Sequence, residues 1–331
     1  MSESRVLLLE SAERAFAALS GVDAFDVVWP QLTELGFGGL LLPESLGGFG
    51  GDWGDAFAVA RLAGVHALAA PLGEAVAAAR LCADAGIEAG DGLLTLGALA
   101  DGGVDSKGCF SGRVQSTPWG RKASSVVIDV DDGVVCLNVA QATARLGANP
   151  ADEPRDTLVF EGAAVQSGKS AIGALEAGAL LRVAQIAGAL DAALAMSIQY
   201  ANERSQFGKQ IGKFQAVQQA LATFAEEAAA VNCAGEAAAR AADRDDAGFE
   251  IGAAKLRANM AAAVGASVAH QVHGAIGCTR EHRLNIFTRR LIAWRSEFGG
   301  ERFWAERIGA DVCARGADAL WPFLTARGDV A

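Results

Sequence analysis

The stretch "RSQFGKQIGK", Arg204 to Lys213, separates two long alanine-rich runs. Before it stands "ALEAGALLRVAQIAGALDAALAMSIQYANE", and after it "FQAVQQALATFAEEAAAVNCAGEAAARAADR". Both flanks are made of strong helix formers, and Phe207-Gly208 stops the pattern for a few residues only. A break this short predicts two antiparallel neighbours joined by a tight turn. The first helix is expected to run from Ala174 to Gln206. "FEIGAAKLRANMAAAVGASVAHQVHG", "RLNIFTRRLIAWRSEFG" and "ERFWAERIGADVCARGADALW" read as further helices. Four or five helices with small-residue faces imply a closely packed bundle.

Upstream the texture changes twice. From Arg5 to about Ala89 the pattern is helical, interrupted by the glycine-rich "LPESLGGFGGDWGD" (Leu42–Asp55). "PLGEAVAAARLCADAG" has Pro71 near its start and Gly86 at its end, the usual helix punctuation. Between about Gly90 and Gln166, "SSVVIDVDDGVVCLNV" places two β-branched runs around an Asp-Asp-Gly turn, which predicts a hairpin. "CFSGRVQ" and "TLVFEGAAV" read as two more strands. The expected division is an N-terminal helical domain (1–89), a small β domain (90–166) and a C-terminal helical bundle (167–331).

Composition narrows the function classes. With a net charge of −11, the 331-residue chain lacks the basic surface that a general nucleic-acid binder requires. Six scattered cysteines form no CxxC pair and no Cys/His cluster, so neither a metal nor a redox-motif spacing is present. Reduced thiols in a cytoplasmic protein are the expectation. The N-terminal apolar run is too short for a secretory signal. No uncharged apolar stretch reaches the roughly 18 residues needed to span a bilayer.

Three separated motifs carry a family resemblance. "QYANERSQFGKQIGKFQAVQQALA" (Gln199–Ala222) contains Arg-x-x-Phe-Gly followed by Phe-Gln-x-x-Gln. "HQVHGAIGCTREHRL" (His270–Leu284) contains Gln-x-x-Gly-x-x-Gly, and "ELGFGGLLLPESLGGFGG" (Glu34–Gly51) is the third. Together, in their order along the chain, they resemble the signatures of the FAD-dependent acyl-CoA dehydrogenases. The resemblance implies a mostly α fold with a small β domain in the middle and a four-helix bundle behind it. It implies FAD as cofactor, with Arg204 on the pyrophosphate, Phe207 and Gln215 near the adenosine, and Gln271, His273 and Gly274 in a loop touching the ADP part. Guanidinium groups bind phosphate oxygens bidentately, and glycine lets backbone approach a ligand. It further implies an acyl-CoA substrate, an electron-transfer flavoprotein or similar acceptor, and a homo- or hetero-oligomer, with no metal.

The implied reaction removes the α proton of the thioester while the β hydrogen leaves as hydride to the flavin. That needs a carboxylate base and hydrogen-bond donors at the thioester oxygen. In many family members the base is a glutamate directly before a glycine. Here Gly299 matches that glycine, Phe298 takes the base position, and Glu297 lies one residue earlier. The family's second arrangement maps near Gly178, two residues from Glu176. Trp119 in "STPWGRK" matches the Trp of a strand that lines the flavin in the family.

Three alternatives follow. The chain could be a self-sufficient dehydrogenase with Glu297 or Glu176 as base. It could be a base-less subunit completing the FAD site of a longer partner. It could also be a helical binding protein that keeps the fold without flavin. "RRLIAWRSEFGGERFWAERIG" and "GADALWPFL" resemble the short subunits of bacterial heteromers associated with breakdown of fatty-acid or sterol side chains.

Overall fold

Asp129 fixes the start of the longest helix: its carboxylate accepts from the backbone N–H of Ala174 (2.6 Å) and Leu175 (2.9 Å). These are two of the donors that a helix N-terminus leaves unpaired. The computed structural model describes residues 3–131, 133–244 and 246–328. Helices α1 (Glu3–Leu19), α2 (Phe25–Glu34), α3 (Trp53–Val65) and α4 (Leu72–Asp84) come first. Strands β1 (Leu94–Leu96), β2 (Ala98–Val104), β3 (Cys109–Pro118), β4 (Ser125–Val130), β5 (Gly133–Asn138), β6 (Ala142–Arg145) and β7 (Arg155–Gly168) follow. Then come α5 (Ala174–Glu203), the two-residue strands β8 (Ser205–Gln206) and β9 (Lys209–Gln210), and α6 (Gln215–Ala242). The chain continues through α7 (Gly248–His273), α8 (Leu284–Trp294), α9 (Glu301–Arg315) and α10 (Ala317–Gly328).

Helix α5 is the core of the helical part, buried almost all round over its first five turns. Its small residues let neighbours come very close. A Cβ on Gly188 would stand 1.9 Å from the Arg61 carbonyl oxygen, and one on Gly64 would stand 2.3 Å from that of Gln185. Helices α3 and α5 therefore cross backbone to backbone, which only glycine at both positions allows. By length and composition α5 could cross a membrane, yet 72% of its most apolar window is buried inside the fold.

The β region is one sheet in the order β1-β4-β5-β7-β3-β2, with β6 paired to β7. Among the described strands, β1 runs parallel to its neighbour β4 and the other pairs are antiparallel. The expected hairpin is β4–β5, in register from Ser125↔Asn138 to Val130↔Gly133. Asp132 of its turn lies outside the described residues. One apolar cluster, including Phe110, Val114, Ile128, Leu158 and Phe160, forms the core of the sheet. The fold is thus mostly α with a small sheet region in the middle, as expected from the motifs.

Three differences from the sequence reading have plain causes. Helix α5 ends at Glu203 rather than Gln206, because Ser205 and Gln206 pair with Lys209 and Gln210. The last expected helix is two helices, broken at Gly316 with φ +83°. Strands β1, β2 and β6 were not foreseen. β2 reads "ALADGGV" and is mostly exposed, so no apolar alternation marks it.

Candidate functional site

The first motif sits at one end of the bundle. Phe207 (φ +50°) and Gly208 (φ +80°) form the two-residue turn of the β8–β9 hairpin. Positive φ at both central residues is the type I′ pattern that suits the twist of a hairpin. Phe207 is 91% exposed, and among the described residues its ring meets Phe214 edge-on at 6.2 Å. Arg204 closes α5: its N–H donates to the Tyr200 carbonyl (2.9 Å), and its own carbonyl accepts from Ile211 N–H (2.8 Å). Its side chain is exposed. Gln215 opens α6 and is also exposed.

The second motif meets the first through an aromatic stack. His273 is buried at the end of α7, and its ring lies on Tyr200 with centroids 4.5 Å apart. Its Nδ1 is 2.9 Å from the Ala269 carbonyl oxygen, and His282 packs edge-on at 5.1 Å. Burial pushes the imidazole below its ordinary value. The imidazole is thus part of the joint between α5 and α7 rather than of the exposed face. Gln271 and Gly274 are exposed on that end. Gly274 has φ +66° and ψ −149°, a conformation essentially restricted to glycine, and open space where a Cβ would stand.

Arg204, Phe207, Gln215, Gln271 and Gly274 thus lie on two joined motifs as an exposed set. Among the described residues no carboxylate meets Arg204. An unpaired guanidinium, an exposed ring, two amides and an open glycine suit a phosphate-linked aromatic ligand. FAD fits this donor set at its pyrophosphate and adenosine half.

The base positions tell a different story. Glu297 and Glu176 are not brought together. Glu176, in the first turn of α5, is paired with Arg307 of α9. Glu297 is 10% exposed and enclosed by cations. Arg155 Nε approaches its Oε1 at 2.8 Å, Arg182 Nη2 its Oε2 at 2.8 Å, and Asn149 Nδ2 donates to Oε1 at 2.8 Å. Burial alone would push Glu297 up, but Arg155 and Arg182 outweigh it and hold the carboxyl below the usual range. A base needs a proton affinity suited to its task, and this group's is lowered.

These contacts belong to a larger buried network that the sequence reading missed. Arg182 also reaches Glu74, and Arg155 also meets Glu153 at 3.1 Å. Arg290 Nε lies 3.1 Å from Glu153, and Trp294 Nε1 donates to Glu153 at 2.8 Å. The Arg182 guanidinium lies over Trp294 (4.9 Å) and Phe298 (5.6 Å), and that of Arg155 over Trp119 (5.3 Å). Three arginines and three glutamates from α4, the β6–β7 loop, β7, α5, α8 and the α8–α9 loop are joined in one block. The available signal was Arg182, a charge inside a helix apolar on every side, which requires buried partners.

Phe298, at the position the family resemblance assigns to the base, is held by its backbone. It has φ +53°, and its carbonyl accepts from Trp304 Nε1 at 3.0 Å. The Gly299 carbonyl accepts from the fully buried Lys255 (3.2 Å) and from Asn259 (3.2 Å). Lys255 also donates to the carbonyls of Trp294 and Arg295, closing the end of α8. Burial and the nearby Arg182 push this lysine down to about 7.

Comparisons with known proteins agree with this architecture. Residues 167–302 match the family model described as the acyl-CoA dehydrogenase C-terminal domain. The acyl-CoA dehydrogenase FadE34 of Mycobacterium tuberculosis is 30% identical over 308 residues, 87% of this chain and 42% of that protein. The chain therefore spans less than half the length of that relative. The acyl-CoA dehydrogenase IpdE2 of the same organism is 29% identical over 290 residues, 83% of each chain. In fold, the chain matches the crystal structure of the ChsE4-ChsE5 complex from Mycobacterium tuberculosis with a TM-score of 0.84. That match has 22% identity and covers 96% of this chain and 99% of the other. Motifs, fold and relatives converge: residues 167–302 are an acyl-CoA dehydrogenase C-terminal domain, and the chain is similar to acyl-CoA dehydrogenases over most of its length.

Proposed function

We propose that this chain is a subunit of an FAD-dependent acyl-CoA dehydrogenase that takes its catalytic carboxylate from a different, homologous chain. The observation that carries the reading is the enclosure of Glu297 by Arg155, Arg182 and Asn149. A carboxylate stabilised in its ionised form by two guanidiniums is a poor acceptor for a weakly acidic α proton. Phe298, at the matching base position, has no acid–base chemistry at all.

The chain's contribution is the exposed end of the bundle. Arg204 binds the pyrophosphate of an FAD held mainly by the neighbour, with Phe207, Gln215, Gln271 and Gly274 around the adenosine. His273 acts behind them by fixing α7 against Tyr200. The flavin, when bound, supplies the hydride acceptor. The substrate is an acyl-CoA thioester, and an electron-transfer flavoprotein or similar acceptor removes the electrons. The helical front (1–89), small β part (90–166) and bundle (167–331) work as the three domains of this cytoplasmic subunit. A relative's occurrence in a two-protein complex supports a heteromer here.

The test is to purify the chain alone and after co-expression with a neighbouring-gene homologue, counting flavin per chain and assaying bleaching by acyl-CoA. Alone, little flavin and no turnover are expected, and both appear in the mixed complex. About one FAD per chain and bleaching in the isolated protein, lost in Glu297→Gln, would overturn the proposal in favour of a self-sufficient enzyme.

A further inference from the structure

A cavity of about 630 Å³ opens where α8 faces the β6–β7 loop, the turn after β3 and the start of α2. None of Arg204, Phe207, Gln215, Gln271 and Gly274 lines it. Its wall carries five cations, Arg121, Lys122, Arg280, Arg289 and Arg290, against three carboxylates, Asp23, Asp152 and Glu153. The cations are not equally neutralised. Arg121 has the fully buried Asp156 behind it at 2.6 Å, and Lys122 has Asp26 at 2.9 Å. Arg280 (3.5 Å) and Arg289 (2.7 Å) share the one carboxylate of Asp152. Arg290 shares Glu153 with Arg155. In a chain of net charge −11, the α8 side of this cavity is a local concentration of guanidinium groups.

Arg290 adds a second, independent observation. It is 5% exposed, yet its Nη1 meets no hydrogen-bond partner among the described residues. A buried charged donor left unpaired is costly, and an acceptor on a ligand in this cavity would satisfy it. The rest of the wall is held in place. Asn149 Oδ1 accepts from the N–H groups of Ala151 (2.9 Å) and Glu153 (3.1 Å), which fixes the loop carrying Asp152 and Glu153. Arg289 Nε donates to the Pro150 carbonyl of the same loop at 2.8 Å. Phe25, Trp119 and Ile286 supply an apolar wall. Arg155 lies over the Trp119 ring at 5.3 Å, so that face is closed to a flavin.

We propose that this cavity binds the phosphate group of a small molecule, held by Arg280, Arg289 and Arg290. Guanidinium groups present paired N–H donors that match phosphate oxygens. A phosphate offers more charge and more acceptor oxygens than a carboxylate, which suits three guanidiniums better. Any organic part of the ligand lies against Phe25, Trp119 and Ile286. Because Arg290 and Glu153 belong to the buried network, an occupied cavity bears directly on that network.

The experiment is equilibrium dialysis of the whole chain against inorganic phosphate, adenosine monophosphate or adenosine, at constant ionic strength. It needs neither flavin nor partner, so its outcome is independent of the proposed dehydrogenase role. Both phosphates should bind, and adenosine should not. Tighter binding of the nucleotide assigns a phosphate ester, and equal binding assigns free phosphate; the phosphate site stands in either case. Arg289→Ala should weaken binding about 10–100-fold, as loss of a charge-assisted hydrogen bond implies. Arg280→Ala, at an exposed side chain, should weaken it too and keeps the test decisive if the first variant folds poorly. Arg204→Ala should leave binding unchanged. Binding lost in Arg204→Ala but intact in both other variants would put the phosphate at the exposed end of the bundle and overturn the proposal. So would adenosine binding as tightly as its monophosphate, or no binding of either phosphate.

Discussion

The ring of Phe298 lies against Gly178 so closely that a Cβ built on the glycine would stand 2.4 Å from ring atom Cδ1. These are the two chain positions at which the family resemblance would place a catalytic carboxylate. The fold brings them together and fills the space with a phenyl ring. Gly178→Ala should therefore destabilise the chain by about 1–3 kcal/mol through overpacking. Adding Phe298→Ala should remove most of that penalty. A double-mutant cycle by urea denaturation measures the coupling. Additive effects of the two substitutions would show that the contact does not govern the site.

Glu297→Gln should act on stability rather than on chemistry. It leaves Arg155 and Arg182 short of a buried counter-charge, and breaking such a pair costs about 3–5 kcal/mol. Thermal unfolding of the isolated chain should show the loss. Turnover per correctly assembled complex with a base-bearing partner should change little, which a base at position 297 would not allow.

Arg204→Ala should leave the unfolding midpoint of the isolated chain within about 0.5 kcal/mol of wild type, because the side chain is exposed. Flavin affinity in the assembled complex should fall by about 10–100-fold. That range is what losing a charge-assisted hydrogen bond of about 1.5–3 kcal/mol implies. Fluorescence titration with FAD reads the effect.

Lys255 makes a pH prediction with a definite sign. Its folded value of about 7 lies below its ordinary value of 10.5. Between those limits the unfolded chain holds the proton and the folded chain does not, so this lysine makes stability rise with pH across that window. The slope is on the order of 1 kcal/mol per pH unit at most. Below about pH 7 its contribution is flat. Comparing wild type with Lys255→Met by denaturation at pH 7 and pH 9 isolates the slope, which the variant should lack. Equal slopes would mean that Lys255 is charged throughout.

What could be read from the chain followed the range of the interactions. The Phe207-Gly208 turn was legible because the signal and its consequence lie within ten residues. The β4–β5 hairpin was legible for the same reason. The network around Glu297 was not, because its partners run from Glu74 to Glu297 and no spacing encodes them. Sequence also placed His273 in a ligand-facing loop, whereas its ring is turned inward onto Tyr200, a contact between helices that periodicity cannot show. Gly316 gave a local cue that the surrounding alanines obscured.

The Phe298–Gly178 contact and the charge network beside it behave as a ratchet. A glutamate at position 298 would bring a further carboxylate beside Glu297 and replace a ring that Arg182 covers. Clearing Arg182 would leave Glu74 and Glu297 unbalanced, and enlarging Gly178 would collide with the ring. Each single step toward an independent active centre is uphill while the others remain undone. On the proposed reading, a chain locked in this way is bound to a base-bearing partner by history as much as by contact surface.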